Sequence, residues 1–424
     1  MSPGVSRPKA PRTWARSGPQ QATGYVPSMD RSATTTHPDR AVPIMAGIVC
    51  ALVGFTSTFA VVLAGLRAVG ASPGQAASGL LAVTVTMGAA TVLLSWRYRM
   101  PITVAWSTPG AALLVTTGAV TGGWPAAVGA FVACGALLVL SGWWPGLARL
   151  VQRIPVPIAQ AMLAGVLLPL CIGPVTALAD QPAAVAPVLV VWLVLLRLRP
   201  RWAVPAAFVV ALVVIGFSLV RDDALPAAST LVPHLEWTAP SVTWQALTGI
   251  ALPLYIVTMA AQNIPGTAVM STFGYTVPWR SALTVTGVGS IVGAPFGAHA
   301  INLAAISAAL AAGPDAGKDT SRRWIAGVST GVGYLLLGIT STGLSAAVLA
   351  APHGVIEAVA GVALVGAFAS ACAGAMSDES ARLPAAVTFV VAASGAVVAG
   401  IGSAFWGLAT GLVVHLLLKQ RASN

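Results

Sequence analysis

Residues 101–118 read PITVAWSTPGAALLVTTG. Ile102 to Trp106 is β-branched and aromatic, which suits an extended strand. Ser107 or Thr108 can then cap a helix whose first position is Pro109. The stretch therefore reads as a membrane segment that is extended at one end and helical at the other. A helix from Thr108 to about Thr117 is roughly 15 Å long, about half of the ~30 Å hydrocarbon layer, so its N-terminus falls near mid-bilayer. A second stretch, PFGAHAINLAAISAAL over residues 295–310, repeats the design. Its extended part is expected over Phe296 to Ala300 and its helix from close to Asn302. Extended backbone facing lipid would leave its N–H and C=O groups unpaired, so it is tolerated only inside protein or against a wet cavity. Two such breaks point to a cavity at the midplane.

The surrounding chain makes this an all-α polytopic membrane protein. Of 424 residues, 57% are hydrophobic and 8% charged, and the mean hydropathy is +0.85, far from a soluble domain. Residues 1–42 differ: they are rich in Pro, Ser and Thr, carry scattered Arg, and read as a disordered tail without the apolar run of a signal peptide. Cys50, Cys134, Cys171 and Cys372 fall inside apolar spans with no CxxC spacing, which favours packing over a metal or disulfide role. A net charge of +11 would suggest nucleic acid in a soluble protein. Here the basic residues are topological. With about fourteen spans between residues 43 and 418 and the N-terminus inside, Arg97, Arg99, Arg149, Arg153, Arg197, Arg199, Arg201, Arg280, Lys318, Arg322, Arg323 and Arg382 all fall in cytoplasmic loops, and only Arg67 and Arg221 fall outside. Both termini are then cytoplasmic, and the polar stretch 221–242, with Asp222, Asp223, His234 and Glu236, is an external loop.

The pattern of spans repeats. Gly54-Phe-Thr-Ser-Thr58 is a polar patch in the first span, either lining a cavity or packing against other helices. Thr258 to Gly266, with Gln262 and Asn263, is the corresponding patch in the eighth. Seven spans is an odd number, so two halves of seven have opposite orientation, and interrupted segments at corresponding positions of an inverted repeat point to a secondary transporter.

No Lys or Arg lies deep in a span. An anion at the midplane would therefore be held mainly by two helix N-termini, each worth roughly half a unit charge, and by neutral donors. Ser107, Thr108, Gly110 and Asn302 supply donors at those ends; Gln262 and Asn263 add side-chain hydrogen bonds. Phe55, Phe59, Trp106 and Phe296 are candidate apolar walls. Anion entry into a negative cell costs about 2.3 kcal/mol per 100 mV, which a co-transported proton removes. The proton carrier is sought among His299, Glu357 and His415, with His299 best placed beside the second break; the substrate's own carboxylate is the alternative.

Other classes fit less well. Gly313-Pro-Asp-Ala-Gly317-Lys318-Asp319 has too short a spacing for a P-loop, and Asp stands where Ser or Thr is needed. There is no HExxH, nucleophile elbow or intramembrane carboxylate pair, so an enzyme is not indicated, and no cofactor or metal is called for. An anion channel of the same fold stays open.

Three separated motifs now suggest a family: Pro101 to Leu114, Val257-Thr-Met-Ala-Ala-Gln-Asn-Ile-Pro-Gly266, and Gly297-Ala-His-Ala-Ile-Asn-Leu-Ala-Ala-Ile306. They closely resemble the benzoate:proton symporters of the BenE family, over roughly residues 43 to 418. The resemblance implies a bacterial inner-membrane carrier that imports benzoate or a related aromatic acid with protons, in a fold similar to the uracil and sulfate carriers. On it, residues 43–143 and 243–343 form a core and residues 144–220 and 352–418 a gate, with a short cytoplasmic tail at 419–424. Substrate lies between the half-helices and faces the gate. Uracil-type carriers use glutamates where this chain has Gln262, Asn263 and Asn302; a neutral site suits an anion. Partners are thus a small aromatic carboxylate, protons and membrane lipid, with a homodimer open and a nucleobase or other planar anion the alternative substrate.

Overall fold

The computed structural model describes residues 40–221 and 232–423; most of the expected N-terminal tail, and Asp222 and Asp223, lie outside them. The chain is almost entirely helical. In order it forms α1 (Ala41–Ala68), α2 (Pro73–Tyr98), β1 (Val104–Trp106), α3 (Thr108–Thr117), α4 (Gly123–Trp143), α5 (Pro145–Gln152), α6 (Val156–Asp180), α7 (Pro182–Leu198) and α8 (Ala203–Arg221). After the loop come α9 (Trp244–Thr272), α10 (Trp279–Gly293), β2 (Ile301–Leu303), α11 (Ile306–Ala312), α12 (Trp324–Gly338) and α13 (Ser341–Leu349), then α14 (Val355–Ala375), α15 (Arg382–Ala393) and α16 (Ser403–Ser423).

Among the described residues, seven helices are long and apolar enough to cross a bilayer: α1, α2, α4, α6, α8, α9 and α14. Taken together, α12 and α13 meet the same length and hydropathy requirement, bent by 54° at the short break between them. The shorter α3, α7, α10, α11, α15 and α16 fall where the other expected spans lie. Outward-facing apolar side chains such as Val175, Phe217 and Leu336 are exposed, as lipid requires and water would not reward.

Local sequence sets most boundaries. Ser72 and Gln75 close a reciprocal cap around the start of α2, with Pro73 in its first turn. The α9 span is expected to stop near Asn263 and instead runs to Thr272. A π-helical turn over Met259–Asn263 widens the backbone just before Pro265, so the proline is carried without ending the helix. The thirteenth span is shorter than expected, because α15 stops at Ala393 and Gly395, Ala399 and Gly400 all take left-handed backbone.

The two broken segments meet. β1 and β2 pair antiparallel in the register Val104 with Leu303, Ala105 with Asn302 and Trp106 with Ile301. This corrects the reading of the second break. Asn302 sits in the strand rather than at a helix start, and α11 begins at Ile306. Pairing with β1 requires residues 301–303 to be extended, while Ala294–Phe296 is used for a tight turn closed by Gly297 at φ 94°. At Gly297 only glycine fits twice over, since its backbone also lies against Gly79 of α2. Around the pair, α1 and α2 pack on α12 and α4 on α10, while α6 packs on α14 and α15.

Candidate functional site

Each strand is pinned by a hydroxyl from the helix before it. Thr91 of α2 accepts the Val104 N–H at 3.0 Å, and Ser290 of α10 accepts the Ile301 N–H at 3.0 Å. Asn263, at the end of the π turn, accepts the Leu303 N–H at 2.9 Å. Strands of three residues cannot hold themselves, so these side chains complete the backbone accounting that burial demands.

The crossing aims α3. Ser107 is its cap: the Oγ accepts the Gly110 N–H at 3.2 Å and a hydrogen bond from Thr258 at 2.9 Å. Its N–H donates to the Ala300 carbonyl at 2.9 Å, and its carbonyl lies 3.2 Å from Nε2 of His299. Asn302, turned as its neighbours require, accepts from the Ser107 N–H at 3.1 Å and donates to the Leu303 carbonyl at 2.8 Å. One residue thus receives contacts from α9 and from both ends of the second break.

A cavity of about 230 Å³ opens in front of this start. That is below the roughly 300–1,000 Å³ of pockets for drug-sized ligands, so it suits a compact molecule. Thr58, Thr108, Gln262, Ser57, Ser307 and Tyr334 give it polar groups. Trp106, Val53, Leu310, Leu167 of α6 and Val204 of α8 are its apolar walls, and Gly54, Ala363, Gly366 and Ala367 leave it open. Among the described residues, no charged side chain lines it. Thr58 fixes the polar edge by accepting from Trp106 Nε1 at 2.8 Å and from Thr108 Oγ1 at 3.2 Å.

Of the residues singled out from sequence, Trp106, Thr108 and Gln262 line the cavity. Ser107, Asn263 and Asn302 are fully buried behind it and hold the strands and cap together. Gly110, also buried, is the donor that Ser107 caps, and Leu254 and Ser107 leave no room there for a Cβ. Phe55 is buried beside Phe59 and Trp106, supporting the Trp106 ring rather than lining the space. His299 is fully buried, edge-on to Phe131, with Nδ1 unpartnered among the described residues. Glu357 does not line the cavity and accepts the Gly354 N–H at 3.1 Å, capping α14. Sequence reading passed over Tyr334, Ser307 and the small residues of α14. Their only signal is a lone tyrosine and a run of small residues in otherwise apolar spans.

Residues 38–417 match the family model described as benzoate membrane transport protein. The inner membrane protein YdcO of Escherichia coli K12 is 36% identical over 382 residues, covering 90% of this chain and 97% of its own. The benzoate membrane transport protein of Acinetobacter baylyi is 30% identical over 385 residues, covering 89% and 96%. Among solved structures, the transmembrane domain of the cyanobacterial bicarbonate transporter BicA superposes with a TM-score of 0.58 at 14% identity, over 89% of this chain and 96% of that one. The murine anion transporter Slc26a9 in its inward-facing state gives 0.60 at 13%, over 91% and 69%. At such identities these two matches speak for the fold alone.

Proposed function

We propose that this chain, which belongs to the benzoate membrane transport protein family, imports benzoate or a closely related aromatic carboxylate together with protons. Membership makes it a membrane transporter and not an enzyme; the substrate, the coupling and the mechanism are our reading. The observation that carries it is the cavity at the head of α3, lined by neutral donors and apolar walls and, among the described residues, by no charged group. An aromatic ring suits the walls, and a carboxylate suits the positive end of a ten-residue helix.

Alternating access would move a core of residues 43–143 and 243–343 against a gate of residues 144–220 and 352–418, in the bacterial inner membrane with both termini cytoplasmic. Packing of α6 on α14 and α15, apart from the packing of α2 on α12, supports that division. So does a cavity walled on one side by Leu167, Val204 and Ala363. The proton is assigned to His299. A proton taken up at the unpartnered Nδ1 would put positive charge directly behind Ser107 and the start of α3. Anion and proton would then each favour the other's binding, and such coupling is reciprocal.

Labelled benzoate uptake into proteoliposomes tests this. An inward proton gradient should drive accumulation that a protonophore collapses, and His299→Gln should reduce it to equilibration. Wild-type uptake that only equilibrates would mean a facilitator or channel, and competition by uracil rather than benzoate would move the substrate to a nucleobase.

A further inference from the structure

Tyr334 of α12 is fully buried, and its hydroxyl has no hydrogen-bond partner among the described residues. Leaving a buried O–H unpaired is costly, so native structures rarely do it without cause. The group sits in the cavity wall over the bare Cα of Gly54 in α1, where a Cβ would collide with Oη. Glycine at position 54 is what gives this hydroxyl its place.

The other hydroxyl protons of the wall are mostly committed. Ser57 donates to the Val53 carbonyl, Thr108 to Thr58 and Ser307 to Thr103 at 3.4 Å. Thr58 is an acceptor in both of its bonds, which leaves its own proton uncommitted. Gly54 and Thr58 lie four residues apart on the same face of α1, roughly 6 Å along its axis. Among the described residues the wall therefore presents two hydroxyl donors without an acceptor, Tyr334 over Gly54 and Thr58 on the next turn of α1.

We propose that Tyr334 and Thr58 are the substrate-binding pair that receives the carboxylate, with Tyr334 the residue that selects an anionic oxygen over an apolar group. This rests on the reading of the chain as an aromatic-carboxylate carrier. Hydrogen bonds to a charged acceptor are the stronger kind. They give an anion its hold in a cavity that no Lys or Arg among the described residues lines.

Benzoate binding to the purified protein, measured by titration calorimetry, tests the pair through Tyr334→Phe, which keeps the ring and its packing. The expected result is a benzoate Kd raised roughly tenfold to a hundredfold, with the ligand-free melting temperature unchanged or higher because the orphaned hydroxyl is gone. Thr58→Val should also weaken binding. Wild-type protein that binds benzoate while Tyr334→Phe binds it equally well would overturn this inference and leave the carrier reading standing. Wild-type protein that fails to bind benzoate would overturn the carrier reading, and this inference with it.

Discussion

The two broken segments occupy corresponding places in the two halves, yet they are built differently. α3 has ten residues, starts directly after β1, and is capped by Ser107, whose Oγ is itself held by Thr258. α11 has seven residues, starts two residues beyond β2, and has no side-chain cap. What the second break has instead is a better-anchored strand: Asn263 holds Leu303, Ser290 holds Ile301, and Asn302 reaches across to Ser107. A cap fixes where a helix end, with its positive potential, is aimed, whereas a pinned strand supplies rigidity. The difference teaches that an inverted repeat can share topology while dividing labour, one copy presenting the charge end and the other serving as its frame.

The largest effect should come from removing the frame. Asn263→Leu leaves the buried Leu303 N–H without its acceptor, a cost of about 1–3 kcal/mol, and frees β2 to shift under Ser107. The expected outcome is a clear fall in melting temperature in detergent together with loss of uptake. Ser107→Ala, which removes a cap worth about 1 kcal/mol, should destabilise less. The reverse order would mean that α3, and not β2, is the structural member of the pair.

A middle-sized effect separates binding from support. Thr108 lines the cavity and Asn302 does not. Thr108→Val should therefore raise the KM for benzoate by roughly threefold to tenfold while melting stays close to wild type. Asn302→Leu should lower the melting temperature and maximal rate with little change in KM. An Asn302 variant that melts normally and raises KM as much as the Thr108 variant would show that both broken segments touch the substrate, and the division of labour would fall.

How far the sequence reached follows the same line. Ser107, Pro109 and the length of α3 were legible because capping chemistry is local and is written in adjacent residues. The placing of α6, α8 and α14 was legible because hydropathy over a long window outweighs detail. Asn302 was misplaced at a helix start because its strand conformation comes from pairing with Ala105, a partner far away in the chain. Asn263 reads as a polar group suited to a ligand, and only the fold reveals that Leu303 already uses its oxygen. Tyr334 was invisible for a similar reason: nothing near it in sequence indicates that Gly54 lies opposite its hydroxyl.

The smallest effect lies at the far ends of the half-helices. Beyond α11, Asp315 pairs with Arg201 of the α7–α8 connection at 3.1 Å, with side chains 60% and 54% exposed. Beside them is a second hollow of about 400 Å³ that shares Leu310 with the main cavity. The end of α3, at Thr117, instead packs against the backbone of Gly402 before α16. An ion pair so exposed is worth about 0–1 kcal/mol and is screened by salt; a packing contact is not. Arg201→Gln should therefore shift half-saturation for benzoate by less than about fivefold, with the shift visible at low ionic strength and lost at high salt. Uptake abolished at every salt concentration would instead place Arg201 on the path of the anion. The second half-helix would then carry a charge function of its own, at the mouth rather than at the midplane.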